Sequence, residues 1–220
     1  MLTIHNTQSK NIQRISILGD SYSTFEGSMT PKNSLSWYFN TIKDQQTDLC
    51  HVEEIWWSQL LRDLDWSLEC NNSYSGSTIC NTGYNGDDAS AFSFISRIDN
   101  LGSPDTIFIF GGTNDYWADV PLGSYKYCDW SEQDLFRFRP AMAYMLEKIK
   151  IQYQDANIYF LINDEIEGAF NESIVNICNY YDISYLKLDI DKISNHPSVL
   201  GMNQIFLQVK QYLTDQTTNL

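Results

Sequence analysis

The chain predicts an α/β protein, a three-layer α/β/α sandwich on a five-stranded, mostly parallel sheet, and three observations carry that expectation. Thr106-Ile107-Phe108-Ile109-Phe110 and Ile158-Tyr159-Phe160-Leu161-Ile162 lack polar alternation, as strands covered on both faces do. Between the apolar runs lie stretches with apolar residues at helical spacing, so each crossover can return the chain parallel to the strand it left. With 220 residues and 43% hydrophobic content, the sequence can bury one sizeable core. The expected organisation is a polar leader, 1–12, followed by a single domain, 13–220.

In chain order, strands are expected at 14–18, 67–71, 105–110, 156–162 and 184–189. Helices are expected over Glu53–Leu64 (Ile55, Trp56, Gln59, Leu60), Glu132–Tyr153 (Leu135, Met142, Met145, Leu146, Ile149), Glu172–Tyr181 and Pro197–Leu213. Ser131 can cap the helix that Glu132 opens, and Pro197 would pre-set a first helical turn, placing His196 at a helix N-terminus. Two connections, 22–52 and 113–130, exceed ordinary loop lengths and follow strand C-termini, the edge where open α/β sheets bind ligands.

Composition excludes several partners. The net charge is -14, from 28 acidic and 14 basic residues, so nucleic acid would be repelled over most of the surface. Five cysteines, at 50, 70, 80, 128 and 178, have no metal-type spacing and read as mostly reduced thiols. No His/Asp/Cys cluster has ligand-like spacing, and Gly111-Gly112 is not followed by a phosphate-loop Lys-Ser/Thr, so neither metal nor cofactor is implied. No apolar run is long enough to span a bilayer or to form a secretory signal. As given, the chain reads as cytoplasmic, or as secreted if a leader has been removed.

The chemistry sits at strand ends. Ile15-Ser16-Ile17-Leu18 breaks into Gly19-Asp20-Ser21, which places a serine where a buried strand opens into a loop. Gly76 marks a turn, Gly111-Gly112-Thr113-Asn114-Asp115 follows a second buried strand, and His196-Pro197 comes late. These four blocks together resemble the SGNH (GDSL-type) hydrolases, named for a Ser, a Gly, an Asn and a His in this order, and the resemblance spans nearly the whole chain. It implies a flavodoxin-like fold, Ser21 as nucleophile, His196 as base, and an oxyanion hole of the Ser21 and Gly76 backbone N–H groups with the Asn114 amide. The physical demand agrees: a serine hydroxyl is a weak nucleophile at neutral pH and needs an adjacent base and donors aimed at the oxyanion. Of the three histidines, His5 lies in the leader and His51 reads as a helix-start residue, leaving His196.

One position departs from the family pattern. The family commonly carries an aspartate three residues before the histidine, where this chain has Ile193. Asp191 is the first choice for the acid. Asp189 is an alternative, and so is a Ser–His dyad with a backbone carbonyl holding the imidazole. Asp20 is expected to fix its own loop by accepting backbone N–H bonds.

Rings crowd the two long loops: Trp37, Tyr38 and Phe39 in one, and Tyr116, Trp117, Tyr125, Tyr127 and Trp130 in the other. They suggest a lined cleft, with Asp115, Tyr116 and Trp117 as candidate substrate contacts. Interleaved polar residues favour a hydroxylated substrate over a long lipid. The expectation is therefore a serine esterase that removes a short acyl group from a carbohydrate or similar small polar ester. The competing readings are a lysophospholipase or thioesterase using the same serine, and a non-catalytic ligand-binding domain.

Overall fold

The computed structural model describes residues 12–42 and 46–218; most of the expected leader, His5 included, lies outside the described residues. Five parallel strands, β1 (Arg14–Gly19), β2 (Ser67–Ser73), β3 (Thr106–Phe110), β4 (Asn157–Ile162) and β5 (Ser184–Lys187), form one sheet in the order β2-β1-β3-β4-β5. The α-helices are α1 (Trp56–Leu64), α2 (Thr113–Trp117), α3 (Phe138–Gln152), α4 (Gly168–Tyr180) and α5 (Val199–Thr218). Two short strands, β6 (Lys192–Ile193) and β7 (His196–Pro197), pair antiparallel beyond β5.

The sheet is covered on both faces at its centre, which explains the apolar runs of β3 and β4. Ile107 and Ile109 of β3 face a core built with Met142, Met145 and Ile149 of α3 and Ile174 and Ile177 of α4. Their neighbours Phe108 and Phe110 point the other way, against Trp56 and Leu60 of α1 and Met202, Ile205 and Val209 of α5. Each such fully buried side chain contributes about 1.5–3 kcal/mol relative to an exposed one. Among the described residues no helix is long and apolar enough to cross a membrane, and the five cysteines are unpaired.

Four helix boundaries move from their expected places, each for a local reason. Val52–Glu54 is a separate 3-10 turn, closed by the Glu54 carboxylate accepting from the N–H groups of Cys50 and His51 at 3.0 and 2.9 Å, and α1 begins at Trp56. Ser131 caps a 3-10 turn, Glu132–Phe136, rather than α3, because the extended backbone of Arg137 separates the two. α4 starts four residues before Glu172. Pro197 lies in β7, not in a helix; α5 starts at Val199 after Ser198, whose Oγ accepts from the Gly201 N–H at 3.0 Å.

β1 runs between β2 and β3, and successive connections leave it in opposite directions, so the crevice at this switch point opens beside the C-terminus of β1. Gly19, at that end, is paired with both Ser73 and Phe110. The loops carrying Ser21, Gly76 and Asn114 thus leave three neighbouring strands at one edge.

Candidate active site

Ser21 opens a 3-10 turn, Ser21–Ser23, directly after β1. Asp20 caps the turn, its Oδ1 accepting from the Tyr22 N–H at 3.0 Å, which matches the loop-fixing role expected of it. The indole N–H groups of Trp56 and Trp57 reach the far end of the turn, donating to Ser23 Oγ at 3.2 Å and Ser23 O at 3.0 Å. The turn that carries the Ser21 hydroxyl is therefore held by Asp20 and from α1.

His196 arrives from the other end of the chain on β7. Its Nε2 lies 3.0 Å from Ser21 Oγ, and its Nδ1 lies 3.1 Å from the Ser194 carbonyl oxygen. A carbonyl can only accept, so Nδ1 carries the proton and Nε2 presents its lone pair to the Ser21 hydroxyl. Burial drives the imidazole pKa down to about 4, against the Ser194 carbonyl, which raises it. At neutral pH the ring is an uncharged base.

The carboxylate expected to orient this ring does not reach it. Asp191 Oδ2 accepts from the Ser198 hydroxyl, and the Asp191 main chain is bonded to Gln204 and Ser198. Asp189 is held through its backbone by the Gln208 amide. The reason is the hairpin: Ile193 pairs with His196, and Ser194 and Asn195 both adopt left-handed backbone, φ 50° and 62°. This tight turn folds the Ser194 carbonyl under the imidazole and carries Asp191 away with the start of α5. Asp191 is thus placed as a partner of Ser198, and the group that lies at Nδ1 is the Ser194 carbonyl.

Tyrosines fix the hairpin in place. Tyr22 Oη donates to Asn195 O at 2.6 Å, and Tyr38 Oη donates to Pro197 O at 2.8 Å, so the carbonyls on both sides of His196 are anchored. Lys192 is ion-paired with Asp164 and Glu165 of the β4–α4 loop, and Glu165 also accepts from the Trp117 indole N–H at 3.0 Å.

Gly76 has φ 80° with open space where a Cβ would stand, the mark of a left-handed turn that only glycine takes freely. Asn114 lies beside it: its amide donates to Ser77 O at 3.0 Å, and its Oδ1 accepts from Tyr84 Oη at 2.7 Å. The Tyr84 bond fixes which way the amide faces, and an amide nitrogen bearing two hydrogens keeps a second donor for a ligand. Gly111 is required by packing, since a Cβ there would lie 2.4 Å from the Phe94 ring.

Arg97, unnoticed in the sequence, is buried under both loops. Its guanidinium donates to Ser77 Oγ at 2.8 Å, to Gly19 O at 3.2 Å and to Asn72 O, tying the serine strand to the glycine loop. Burial lowers its pKa to about 9, still above neutrality. Nothing in the spacing of Phe94-Ile95-Ser96-Arg97 marks it, because its partners are mainly backbone carbonyls and its nearest charge, Asp20, is remote in sequence.

Among the candidate substrate contacts, Asp115 lies inside the protein. It is fully buried, accepting from the N–H groups of Ile79 and Cys80 at 2.7 and 3.2 Å; burial raises its pKa to about 6 despite these bonds. Tyr116 packs edge-on against Phe170, on the side of α3 and α4. Trp117 does border the site, 5.9 Å from the imidazole, and Trp37 stacks directly on it. The other loop rings pack elsewhere: Tyr125 and Tyr127 join Tyr180, and Trp130 meets Tyr144. Two indoles and the Tyr22 ring, which meets the imidazole edge-on at 5.3 Å, flank the histidine. His51 is exposed at the turn before α1. The wider surface clefts, such as that lined by Arg14, Asp105 and Asp155, lie where the strands begin. Among the described residues no cluster of three His, Cys, Asp or Glu side chains is arranged to hold a metal ion.

A serine hydroxyl next to an uncharged imidazole, with amide donors at hand, is an arrangement that acyl transfer can use, and the chain has relatives of known structure. The chain is similar to two proteins of known structure described as GDSL-like lipases. One, from Bacteroides ovatus, is 51% identical over 94% of this chain and 100% of its own, with a TM-score of 0.92. The other, from Bacteroides uniformis, is 46% identical over 93% and 96%, with a TM-score of 0.90. A family two carbohydrate esterase from Clostridium thermocellum, solved with cellohexaose, shares the fold at 14% identity, covering 94% of this chain and 65% of its own, with a TM-score of 0.64. No curated protein matches. The model of the GDSL-like lipase/acylhydrolase family matches residues 13–213, and the chain belongs to that family.

Proposed function

We propose that this protein is a serine esterase that hydrolyses a short-acyl ester of a carbohydrate or similar small polar alcohol through an acyl-enzyme on Ser21. The 3.0 Å contact between Ser21 Oγ and His196 Nε2 carries the reading. As Oγ attacks the ester carbonyl, its proton passes to Nε2, while Nδ1–H keeps its bond to Ser194 O. The oxyanion accepts from the Ser21 and Gly76 backbone N–H groups and the Asn114 amide, donors that act without titrating. Collapse breaks the bond to the alkoxide, which leaves as the alcohol with the Nε2 proton. Water then gives a proton to Nε2 as it attacks the acyl carbon; the second collapse frees the carboxylic acid and returns a proton to Ser21.

The substrate class is supported by the polar residues interleaved with the loop rings in the sequence, and by neighbours of the same fold that include the esterase solved with cellohexaose and an acetyl xylan esterase from Butyrivibrio proteoclasticus. A fluorophosphonate probe is expected to label Ser21. Ser21→Ala and His196→Ala are each expected to lower nitrophenyl acetate turnover by about three orders of magnitude or more. Unchanged rates in either variant refute the assignment. Rates on nitrophenyl esters of graded length should peak at acetyl, with deacetylation of acetylated sugars or polysaccharide; a steady rise toward long chains would instead favour a lipid-directed enzyme.

A further inference from the structure

The proposed reaction makes an imidazolium, yet the ring that must carry the charge has no carboxylate on Nδ1. The carboxylates of the surrounding elements are occupied elsewhere. Asp191 on the hairpin takes the Ser198 hydroxyl, and Asp164 and Glu165 of the β4–α4 loop pair with Lys192. Asp48 of the long loop accepts from the Val199 N–H at 2.9 Å, and Asp20 of the serine loop caps Tyr22. The titratable phenols on this side, Tyr22 and Tyr38, donate to hairpin carbonyls.

What does lie on the imidazole is an indole. The ring centroids of Trp37 and His196 are 3.5 Å apart and the planes are 6° from parallel. Carbon atoms in contact are themselves about 3.5 Å apart, so two parallel rings this close have almost no lateral offset. Face-to-face registry is the arrangement that neutral aromatic rings avoid, because their quadrupoles repel, and the one that a cation over a ring face favours. The backbone that carries the indole is held firmly: the Trp37 backbone N–H donates to Thr24 Oγ1 at 2.9 Å, the Glu26 N–H donates to Tyr38 O at 2.9 Å, and Tyr38 Oη donates to Pro197 O. Trp37 Nε1, by contrast, is buried without a hydrogen-bond partner among the described residues, so its contribution comes from the ring face.

We propose that Trp37 takes the role of the missing acid: its π-face, fixed in register over His196, stabilises the imidazolium formed when the ring takes the Ser21 proton. The proposal rests on the esterase reading above and adds the source of charge stabilisation. In the resting enzyme the stacked neutral ring gains little, and burial holds its pKa near 4. The contact strengthens as the proton arrives, which is the condition for lowering a barrier rather than tightening a ground state.

Replacing Trp37 by a small residue would also admit water, so the test alters the ring's electrons and keeps its shape. Tryptophan bearing one to four fluorines is installed at position 37 by nonsense suppression, with unmodified tryptophan reinstalled as control. Log kcat for nitrophenyl acetate is expected to fall stepwise with fluorination, by about tenfold across the series, with KM unchanged. The acid-limb pKa of kcat/KM should fall in step, because the charged ring is less stabilised. A flat series in an enzyme whose Ser21 is labelled by fluorophosphonate overturns the Trp37 proposal alone. Absence of Ser21 labelling overturns the esterase reading and this proposal with it.

Discussion

The carboxylate of Asp191 lies five residues before His196 and still misses it, because the chain between them reverses in two residues and aims the Ser194 carbonyl at Nδ1 instead. Spacing along a sequence cannot reveal this. A side-chain acceptor has a letter, whereas a backbone carbonyl belongs to every residue. The same blindness hid Arg97 and Tyr84, which act on carbonyls and on an amide already chosen, while Ser21, Gly76, Asn114 and His196 were legible through their strand-end blocks. The geometry gives Asp191 a structural role with a measurable consequence. Asp191→Asn should leave kcat on nitrophenyl acetate within about threefold of wild type. It should lower stability by about 1–2 kcal/mol, since a charge-assisted bond to the Ser198 hydroxyl that caps α5 is weakened. Steady-state kinetics beside urea unfolding of the same preparation checks both halves, and a hundredfold loss of kcat would restore the carboxylate to the imidazole.

The hairpin from β6 to β7 is the element the sequence concealed most completely. Ile193-Ser194-Asn195-His196 lacks the Asn-Gly signature of a two-residue turn, and Pro197 suggested a helix start; only the φ values of 50° and 62° identify the reversal. Asparagine tolerates left-handed backbone better than other non-glycine residues, and the Tyr22 hydroxyl on Asn195 O compensates part of the strain. The central strands β3 and β4 were legible because burial on both faces writes an apolar run, whereas a two-residue strand writes nothing. If the turn sets the distance between Ser194 O and the imidazole, its backbone preference should govern turnover. Asn195→Gly, free at positive φ, should retain kcat within about twofold. Asn195→Val, β-branched and averse to that region, should lose about tenfold or more while far-ultraviolet circular dichroism stays unchanged. Equal activity in the two variants would show that the turn conformation does not matter.

At the scale of the molecule, sheet order and layering follow from the alternation of apolar runs and helical patterns, but the charge buried beneath the crevice does not. The net charge of -14 describes the surface, while Asp20, Asp115 and Arg97 lie together inside, under the loops of β1, β2 and β3. Burial, the largest cause, raises the Asp20 pKa from 3.8 to about 7, against the Tyr22 N–H and the Arg97 charge, which lower it. Asp20 Oδ2 has no hydrogen-bond partner among the described residues, which agrees with a carboxyl that keeps its proton. A carboxyl whose folded pKa exceeds its unfolded one binds more protons in the native state between the two values, so its contribution to stability declines as pH rises through that window. Asp115, raised to about 6, acts in the same direction at lower pH. His196, lowered to about 4, acts oppositely, adding stability as pH rises from about 4 to 6.5. Above about pH 6.5 the Asp20 titration is the largest of the three. Urea midpoints of the wild type should therefore fall between pH 6.5 and 8. Those of Asp20→Asn, which keeps the acceptor for the Tyr22 N–H but cannot ionise, should stay level over the same interval. The comparison uses the slope with pH, so a constant cost of packing the amide cancels. Parallel slopes in the two proteins would mean that Asp20 is ionised throughout and that Arg97 outweighs its burial.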